Sequence, residues 1–222
     1  MGLKRSLTPL EARCLAVLVE KQHTVPDSYP LSLNALVLGC NQKTARDPVM
    51  NVSEAEALQA LDGLKEQSLV NEVSGSRVVR FEHNAQRAIG VPSQSVAILA
   101  LLMLRGPQTA AELRLNTERL HRFADISSVE AFLDELAGAQ APLVLKLARR
   151  AGERESRWAH LLCGEVAMPA AGPGDVAPPS VGGSEFEALK ADHARLSAEV
   201  ARLGALVQRM ARELGVTEGE QG

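Results

Sequence analysis

The stretch SEAEALQALDGLKEQSLVNEV, residues 53–73, decides the fold because its apolar period changes within it. Ser53 and Glu56 have the spacing of a capping box, which marks the start of a helix. An apolar stripe then follows at helical spacing: Leu58, Leu61 and Leu64. The run from Leu69 is rich in β-branched residues, and it pairs naturally with residues 77–83 across a Ser-Gly-Ser turn. The sequence therefore predicts a helix followed by a β-hairpin.

Two helices are predicted upstream of this stretch. Thr8-Pro9 is a cap residue followed by proline at the first helical position, and LEARCLAVLVEKQ, residues 10–22, is apolar enough for a buried helix. LSLNALVLGCN, residues 31–41, predicts a second and shorter helix. The first part of the chain thus runs helix, helix, helix, hairpin.

The same order is written a second time further along the chain. Helices are predicted at PSQSVAILALLMLRG (92–106), at TAAELRL (109–115) and from Ser127 onward, and strands at residues 143–150 and 156–162. In both copies the third helix ends in the same pattern, which is Leu-x-x-Leu, a short gap and then Leu-Val.

Helix, helix, helix, hairpin is the winged-helix order, which contains a helix-turn-helix. We predict a mainly α fold with small β-hairpins (α+β): two tandem winged-helix domains, residues 1–88 and 89–165. The alternative is a generic α+β domain with two helical subdomains.

The C-terminal part is predicted to be a linker and a coiled-coil helix. Residues 166–184 are rich in Pro, Gly and Ala, residues 185–215 carry a heptad seam, and residues 216–222 form a disordered tail. The seam that we expect to hold a parallel dimer consists of Leu189, His193, Leu196, Val200, Leu203, Val207, Met210 and Leu214. An amphipathic helix that folds back on the body is the alternative.

Composition limits the classes of protein and of partner. The chain has 24 basic and 27 acidic residues, and the part after Glu165 holds five basic and eight acidic ones, so the body carries equal numbers of each. A neutral body argues against strong non-specific nucleic-acid binding. Cys14, Cys40 and Cys163 stand apart in apolar surroundings, which predicts buried thiols. No long apolar run or leader is visible, so we expect a cytoplasmic protein without membrane contact.

No constellation of catalytic residues emerges from the sequence. The five histidines are scattered, there is no H-E-x-x-H or paired C-x-x-C pattern, and no glycine-rich phosphate loop follows a predicted strand. We therefore expect no enzyme, no cofactor and no metal.

One polar loop is longer than a helix-turn-helix normally needs. It follows the second helix as CNQKTARDPVMN, residues 40–51. Its candidate donors to a phosphate, a carboxylate or a partner's backbone are Asn41, Gln42, Lys43, Thr44 and Arg46. The competing interpretation is that Asn41 and Asp47 only cap helix ends, while Lys43 and Arg46 pair with nearby acids.

Basic residues also cluster around the second hairpin. The candidates for nucleic-acid contact are Lys146, Arg149, Arg150, Arg154 and Arg157 in the hairpin, together with Arg119 and Arg122 before the third helix of the second copy. By contrast, the two third helices are acidic and would repel phosphates, so we predict that neither reads DNA in the usual way. A solvated hairpin whose arginines pair with neighbouring acids is the alternative.

Four separated stretches resemble the YceH family of uncharacterised bacterial proteins. They are LEARCLAVLVEKQ, SYPLSLNALVLGCNQKTARDPVM, LRGPQTAAELR and RESRWAHLLCGEV, and the similarity runs from about Leu7 to Val166. The resemblance implies tandem winged helices and a bacterial cytoplasmic setting. It implies no established activity.

Three functional hypotheses remain open at this point. The chain is a dimeric DNA-associated regulator that uses its second wing, or an adaptor that offers acidic helix faces to a basic protein. A sensor that holds a small anion on the loop after the second helix is the third. General analogy with winged-helix proteins places DNA association first.

Overall fold

The computed structural model describes residues 3–73, 78–149 and 155–165, and Arg202. The chain divides into two compact units, Met1–Met168 and Pro169–Gly222. The predicted linker, the heptad residues from Leu189 to Leu214 and the terminal tail lie outside the described residues. The coiled coil and the dimer therefore remain predictions.

The first copy contains three helices and a small antiparallel sheet. Its helices are α1 (Pro9–Thr24), α2 (Leu33–Cys40) and α3 (Glu54–Glu66), with a 3-10 turn at Pro26–Ser28. Its strands are β1 (Leu31–Ser32), β2 (Val70–Val73) and β3 (Arg80–His83), arranged in the order β1-β3-β2. In this sheet Phe81 of β3 lies between Leu31 of β1 and Glu72 of β2.

The second copy repeats this order after a short π-helical turn at Gln86–Gly90. Its helices are α4 (Ser93–Arg105), α5 (Ala110–Asn116) and α6 (Ile126–Gly138). Its strands β4 (Val144–Lys146) and β5 (Trp158–His160) pair antiparallel. The prediction of a mainly α chain with small β-hairpins is confirmed.

Helix boundaries follow the capping chemistry of the sequence. The predicted cap at Thr8 and the capping box of Ser53 with Glu56 are both present. The helix predicted from Ser127 is α6, and it begins one residue earlier, at Ile126. Asp125 caps it by accepting the N–H of Ser128. The strands of the second hairpin are also shorter than the sequence predicted.

The repeat extends to a strand that the sequence did not predict. In the first copy Leu31 pairs with Phe81 immediately before the cap residue of α2. In the second copy Gln108, immediately before the cap residue of α5, exchanges both backbone hydrogen bonds with Trp158 at 3.1 and 2.7 Å. Each hairpin is therefore anchored at the start of its second helix through a buried aromatic residue.

A single hydrophobic core runs through both copies because their first helices pack on each other. Every residue from Glu11 to Val19 of α1 is buried, and so is every residue from Ser95 to Leu104 of α4. Because both stretches lie in the centre of the core, neither needs a polar face. The boundary near residue 88 stays a prediction about how the sequence is organised.

Candidate functional site

The polar loop between α2 and α3, residues 41–52 (the α2–α3 loop), is closed at its base by one side chain. Asn41 follows the last residue of α2, and its Nδ2 donates to the carbonyl of Val52 at 2.8 Å. The N–H of Val52 donates back to Asn41 Oδ1 at 2.6 Å. The two ends of the loop are thereby held together without any external ligand.

Arg46 is buried inside this loop, with a side-chain exposure of 0%. Its guanidinium forms a bidentate pair with Glu20 of α1, at 2.6 Å from Nη2 to Oε2 and 3.1 Å from Nη1 to Oε1. The remaining donors reach the carbonyls of Gly39 and Ala45 and the side-chain oxygen of Gln42. A planar fork that is fully used in this way is the strong form of arginine–carboxylate contact.

The charge of Arg46 keeps Glu20 ionised in this setting. Burial raises the pKa of the Glu20 carboxyl, but the hydrogen bond and charge of Arg46, with those of Lys21, outweigh it. The net result is a pKa below the ordinary glutamate value. Glu20 and Arg46 therefore form a charged pair in which each residue compensates the burial of the other.

The same loop ties the two copies of the repeat together. The N–H of Asp47 donates to the carbonyl of Leu104 in α4 at 2.7 Å. On the other side, Arg13 of α1 donates from Nη2 to the carbonyl of Pro48 at 2.7 Å. The loop thus contacts the two central helices, one from each copy, and its length serves that connection.

The structure divides the five loop candidates into two groups. Asn41 and Arg46 use their polar groups inside the protein: Arg46 pairs with an acid, as one interpretation predicted, whereas the side chain of Asn41 closes the loop on Val52 instead of capping a helix, and Ser53, not Asp47, caps α3. Gln42 is exposed, but its Oε1 accepts from Arg46 and from Lys21. Lys43 and Thr44 are exposed at the tip of the loop. An anion site built on Arg46 would have to break its pair with Glu20, so the sensor hypothesis loses its main donor.

The basic residues of the second hairpin are also divided. Arg157 contacts Glu112 at 2.9 and 3.2 Å and the carbonyl of Pro107 at 3.0 Å. The ammonium of Lys146 lies 5.3 Å from the ring centre of Trp158. The exposed basic residues among these candidates are Arg119, Arg122, Lys146 and Arg149. Arg150 and Arg154 lie outside the described residues.

A groove of about 260 Å³ separates the start of α6 from the second hairpin. Its floor contains Ile126 and Trp158, and its charged lining consists of Glu130, Glu155 and Lys146. Two carboxylates therefore stand beside the one lysine that faces this groove, which weakens any attraction of the hairpin for phosphate.

Both third helices expose acidic faces, as the sequence predicted. On α3 the exposed acids are Glu54, Glu56, Asp62 and Glu66. Lys65, the one basic residue of α3, is bound by Asp62 at 2.8 Å and by Glu72 at 3.2 Å. On α6 the exposed acids are Glu130, Asp134 and Glu135. These faces would meet DNA phosphates with charges of the same sign.

Sequence reasoning missed Arg13 and Glu20 as partners of the loop. Arg13 is 1% exposed and interrupts an otherwise apolar run in α1. A charged residue inside such a run signals a buried polar partner, since an unpaired buried charge is costly. The sequence contains that signal, but it does not identify which group contacts Arg13. The prediction for Cys163 was wrong, because that thiol is only partly buried.

The described part of the chain contains neither a membrane-spanning helix nor a cluster of metal ligands. No helix there is long and apolar enough to cross a lipid bilayer. Within residues 3–73, 78–149 and 155–165, no three His, Cys, Asp or Glu side chains gather as ligands of a metal ion would.

Comparison with known proteins places the chain in a family. The family described as "Protein of unknown function, DUF480" matches residues 7–153. A UPF0502 protein of Burkholderia thailandensis is 68% identical over 212 residues, covering 96% of this chain and 91% of the relative. A UPF0502 protein of Burkholderia cenocepacia is 68% identical over 218 residues, with the same coverage. The chain therefore belongs to the DUF480 (UPF0502) family of uncharacterised bacterial proteins, which agrees with its resemblance to the YceH family.

Proposed function

We propose that this protein is a non-enzymatic interaction adaptor of the bacterial cytoplasm, which presents the acidic faces of α3 and α6 to a basic protein partner. The observation that carries the proposal recurs in both copies: each third helix exposes a large apolar residue beside carboxylates, which flank it on α3 and follow it on α6. The tail contributes self-association as a parallel coiled coil.

The α3 face combines an apolar centre with acidic neighbours. Leu58 is 42% exposed, and Glu54 and Asp62 lie one helical turn before and after it. A groove of about 490 Å³ runs beside the helix; its lining includes Glu56, Asp62 and Glu66 together with Arg5, which pairs with Glu11, and Leu58 lies outside it. Such a surface suits a partner that offers an aliphatic side chain flanked by lysine or arginine.

The α6 face repeats the arrangement with its apolar residue at the end of the row. Ile126 is 43% exposed, and Glu130 and Asp134 follow at intervals of four residues. Glu135 extends the acidic surface on the neighbouring row. A protein partner is favoured over a nucleic acid for two reasons. The exposed apolar residue gains free energy from contact with an apolar side chain, and the surrounding carboxylates repel phosphates.

Charge reversal on α6 tests this proposal. A photo-crosslinking residue replaces Ala131, which is exposed on the same face. It is introduced both into the full-length wild type and into the full-length variant Glu130→Lys, Asp134→Lys, Glu135→Lys. We expect the wild type to crosslink to a basic protein in the bacterial cytoplasm, and the variant to bind the purified partner at least about tenfold more weakly.

The control carries the same change in charge on other surfaces. Asp27→Lys, Glu118→Lys and Glu165→Lys alter exposed acids away from α6. This variant is expected to bind the partner with wild-type affinity. If both variants lose affinity equally, or if neither does, the acidic face is not the docking surface.

A second candidate function, DNA association, is favoured by one observation. Lys146 and Arg149 are exposed in the second hairpin, where a wing would contact a phosphate backbone, and Arg119 and Arg122 are exposed between α5 and α6. The acidic α6 and the carboxylates beside Lys146 oppose it, which is why we rank it second.

The test of this candidate is the salt dependence of duplex DNA binding by the full chain. Each phosphate contact contributes about 0.9 to the slope of log K against log salt, so Lys146→Ala with Arg149→Ala should reduce the slope by roughly 1.8. Lys4→Ala with Arg87→Ala, at exposed positions outside the hairpin, is the matched control. Absence of binding at low salt, or an unchanged slope, contradicts a wing-led contact.

A further inference from the structure

Two of the three thiols of this protein touch each other in the core. Cys14 lies on α1 and Cys40 is the last residue of α2, and both are fully buried. Their sulfur atoms are 3.8 Å apart. A bonded pair of sulfurs is about 2.05 Å apart, so a disulfide requires the two sulfurs to approach by roughly 1.8 Å.

A buried cation, Arg13, lies beside the pair, and the Asp47 carboxylate acts on it through its charge without forming a salt bridge within the described part of the chain. Arg13 is 1% exposed and donates to the carbonyl of Cys40 at 3.3 Å and to that of Pro48 at 2.7 Å. Its Nε has no hydrogen-bond acceptor within the described part of the chain. Since a buried charge needs a compensating charge, the thiol pair is well placed to supply a thiolate.

The surrounding charges favour ionisation of Cys40 over Cys14. The hydrogen bond from Cys14 lowers the pKa of Cys40, burial opposes this, and the charges of Arg13 and Arg46 lower it further, to a net value below the ordinary cysteine value. The pKa of Cys14 is raised by its hydrogen bond with Cys40, by burial and by Glu11, against the smaller effect of Arg13. We assign the nucleophile of the pair to Cys40, because Arg13 donates to the carbonyl of this residue at 3.3 Å.

We propose that Cys14 and Cys40 form a redox-active dithiol that a small peroxide converts into an intramolecular disulfide. Positive charge on Arg13 and Arg46 argues against a metal cation as the alternative occupant. The site lies at the base of the α2–α3 loop, whose tip and Asp47 are exposed, so a local opening of this loop would admit a small neutral oxidant.

The reaction balances with hydrogen peroxide as the oxidant. The Cys40 thiolate attacks one peroxide oxygen, the O–O bond breaks, and the departing hydroxide takes a proton to become water, which leaves a sulfenic acid. Cys14 sulfur then attacks the Cys40 sulfur and the S–O bond breaks. The proton of the Cys14 thiol leaves with the hydroxide as a second water. The two sulfurs lose two electrons, which reduce the peroxide.

The test is oxidation of the folded full-length protein with stoichiometric hydrogen peroxide, followed by intact mass and peptide mapping. We expect loss of two hydrogens, a link between Cys14 and Cys40, and full reversal by a dithiol reductant. Cys163→Ser should form the same link. Cys14→Ser should stop at a sulfenic acid on Cys40 that a dimedone probe traps, whereas Cys40→Ser should give no trapped product at position 14.

The role of Arg13 is tested by the pH profile of the oxidation rate. Arg13→Met should move the midpoint of the profile to higher pH and slow the reaction at neutral pH about tenfold, whereas Arg13→Lys should retain most of the rate. Circular dichroism of each variant establishes that it is folded. The proposal is overturned if the folded wild type forms no link between Cys14 and Cys40, or if the link forms only in denaturant.

Discussion

Replacing Arg46 with alanine should lower the free energy of unfolding by about 1.5–3 kcal/mol, because the partly buried carboxylate of Glu20 loses its bidentate partner and keeps its contact with Lys21. Glu20 would lose both guanidinium contacts, and the carbonyl of Gly39 would lose its donor. The α2–α3 loop would also lose the side chain that holds its centre against α1. Chemical denaturation of the full-length variant, read at neutral pH, measures the effect.

Three further variants separate this ion pair from a general effect of loop substitutions. Lys43→Ala changes an exposed residue of the same loop and should stay within about 0.5 kcal/mol of the wild type. Arg46→Lys should remain clearly destabilised, because an ammonium cannot form the bidentate contact. Adding Glu20→Ala to Arg46→Ala should cost less than the sum of the single changes. An additive double variant would mean that the pair is not coupled.

Gly39→Ala is the second change for which we expect a large effect. It should lower the free energy of unfolding by about 1–3 kcal/mol through overpacking. A Cβ at Gly39 of α2 would lie 2.5 Å from Cγ1 of Val17 on α1. Val17 is completely buried and β-branched, so it cannot rotate away freely. The clash outweighs the gain of about 1 kcal/mol that alanine normally brings to a helix.

Thermal and chemical unfolding of paired variants test the steric origin of this loss. Gly138→Ala, in α6, has open space around the added methyl group and should be neutral or slightly stabilising. Val17→Ala with Gly39→Ala should recover part of the stability, because the removed methyl groups make room for the new one. If Gly39→Ala proved as mild as Gly138→Ala, the close approach of α1 and α2 would be wrong.

The internal role of the α2–α3 loop affects how its variants are interpreted. Arg46 and Asn41 hold the loop to itself and to α1, and Asp47 connects it to α4. A loss of function in an Arg46 variant would therefore reflect stability before recognition. Lys43 and Thr44, which are exposed at the tip, are the residues whose substitution reports on a surface contact.

Local features of the sequence determined the elements of this fold. The cap at Thr8, the capping box at Ser53 and the change of apolar period after Glu66 placed helices and hairpins nearly where they lie. These signals act over a few residues, through backbone N–H groups that need acceptors and side chains that alternate between faces. For the same reason the acidic character of α3 and α6 could be predicted before their exposure was known.

Long-range pairing was decided only by the tertiary structure. The short strand β1 and the bridge at Gln108 depend on partners 50 residues away, and their local sequence carries no strand signal. The partner of Arg46 could equally have been an external anion until α1 brought Glu20 to it. The packing of α1 on α4 likewise joins the two copies into one core. Periodicity tells which face of a helix is apolar, but the burial of a particular charge or thiol depends on which distant segment covers it.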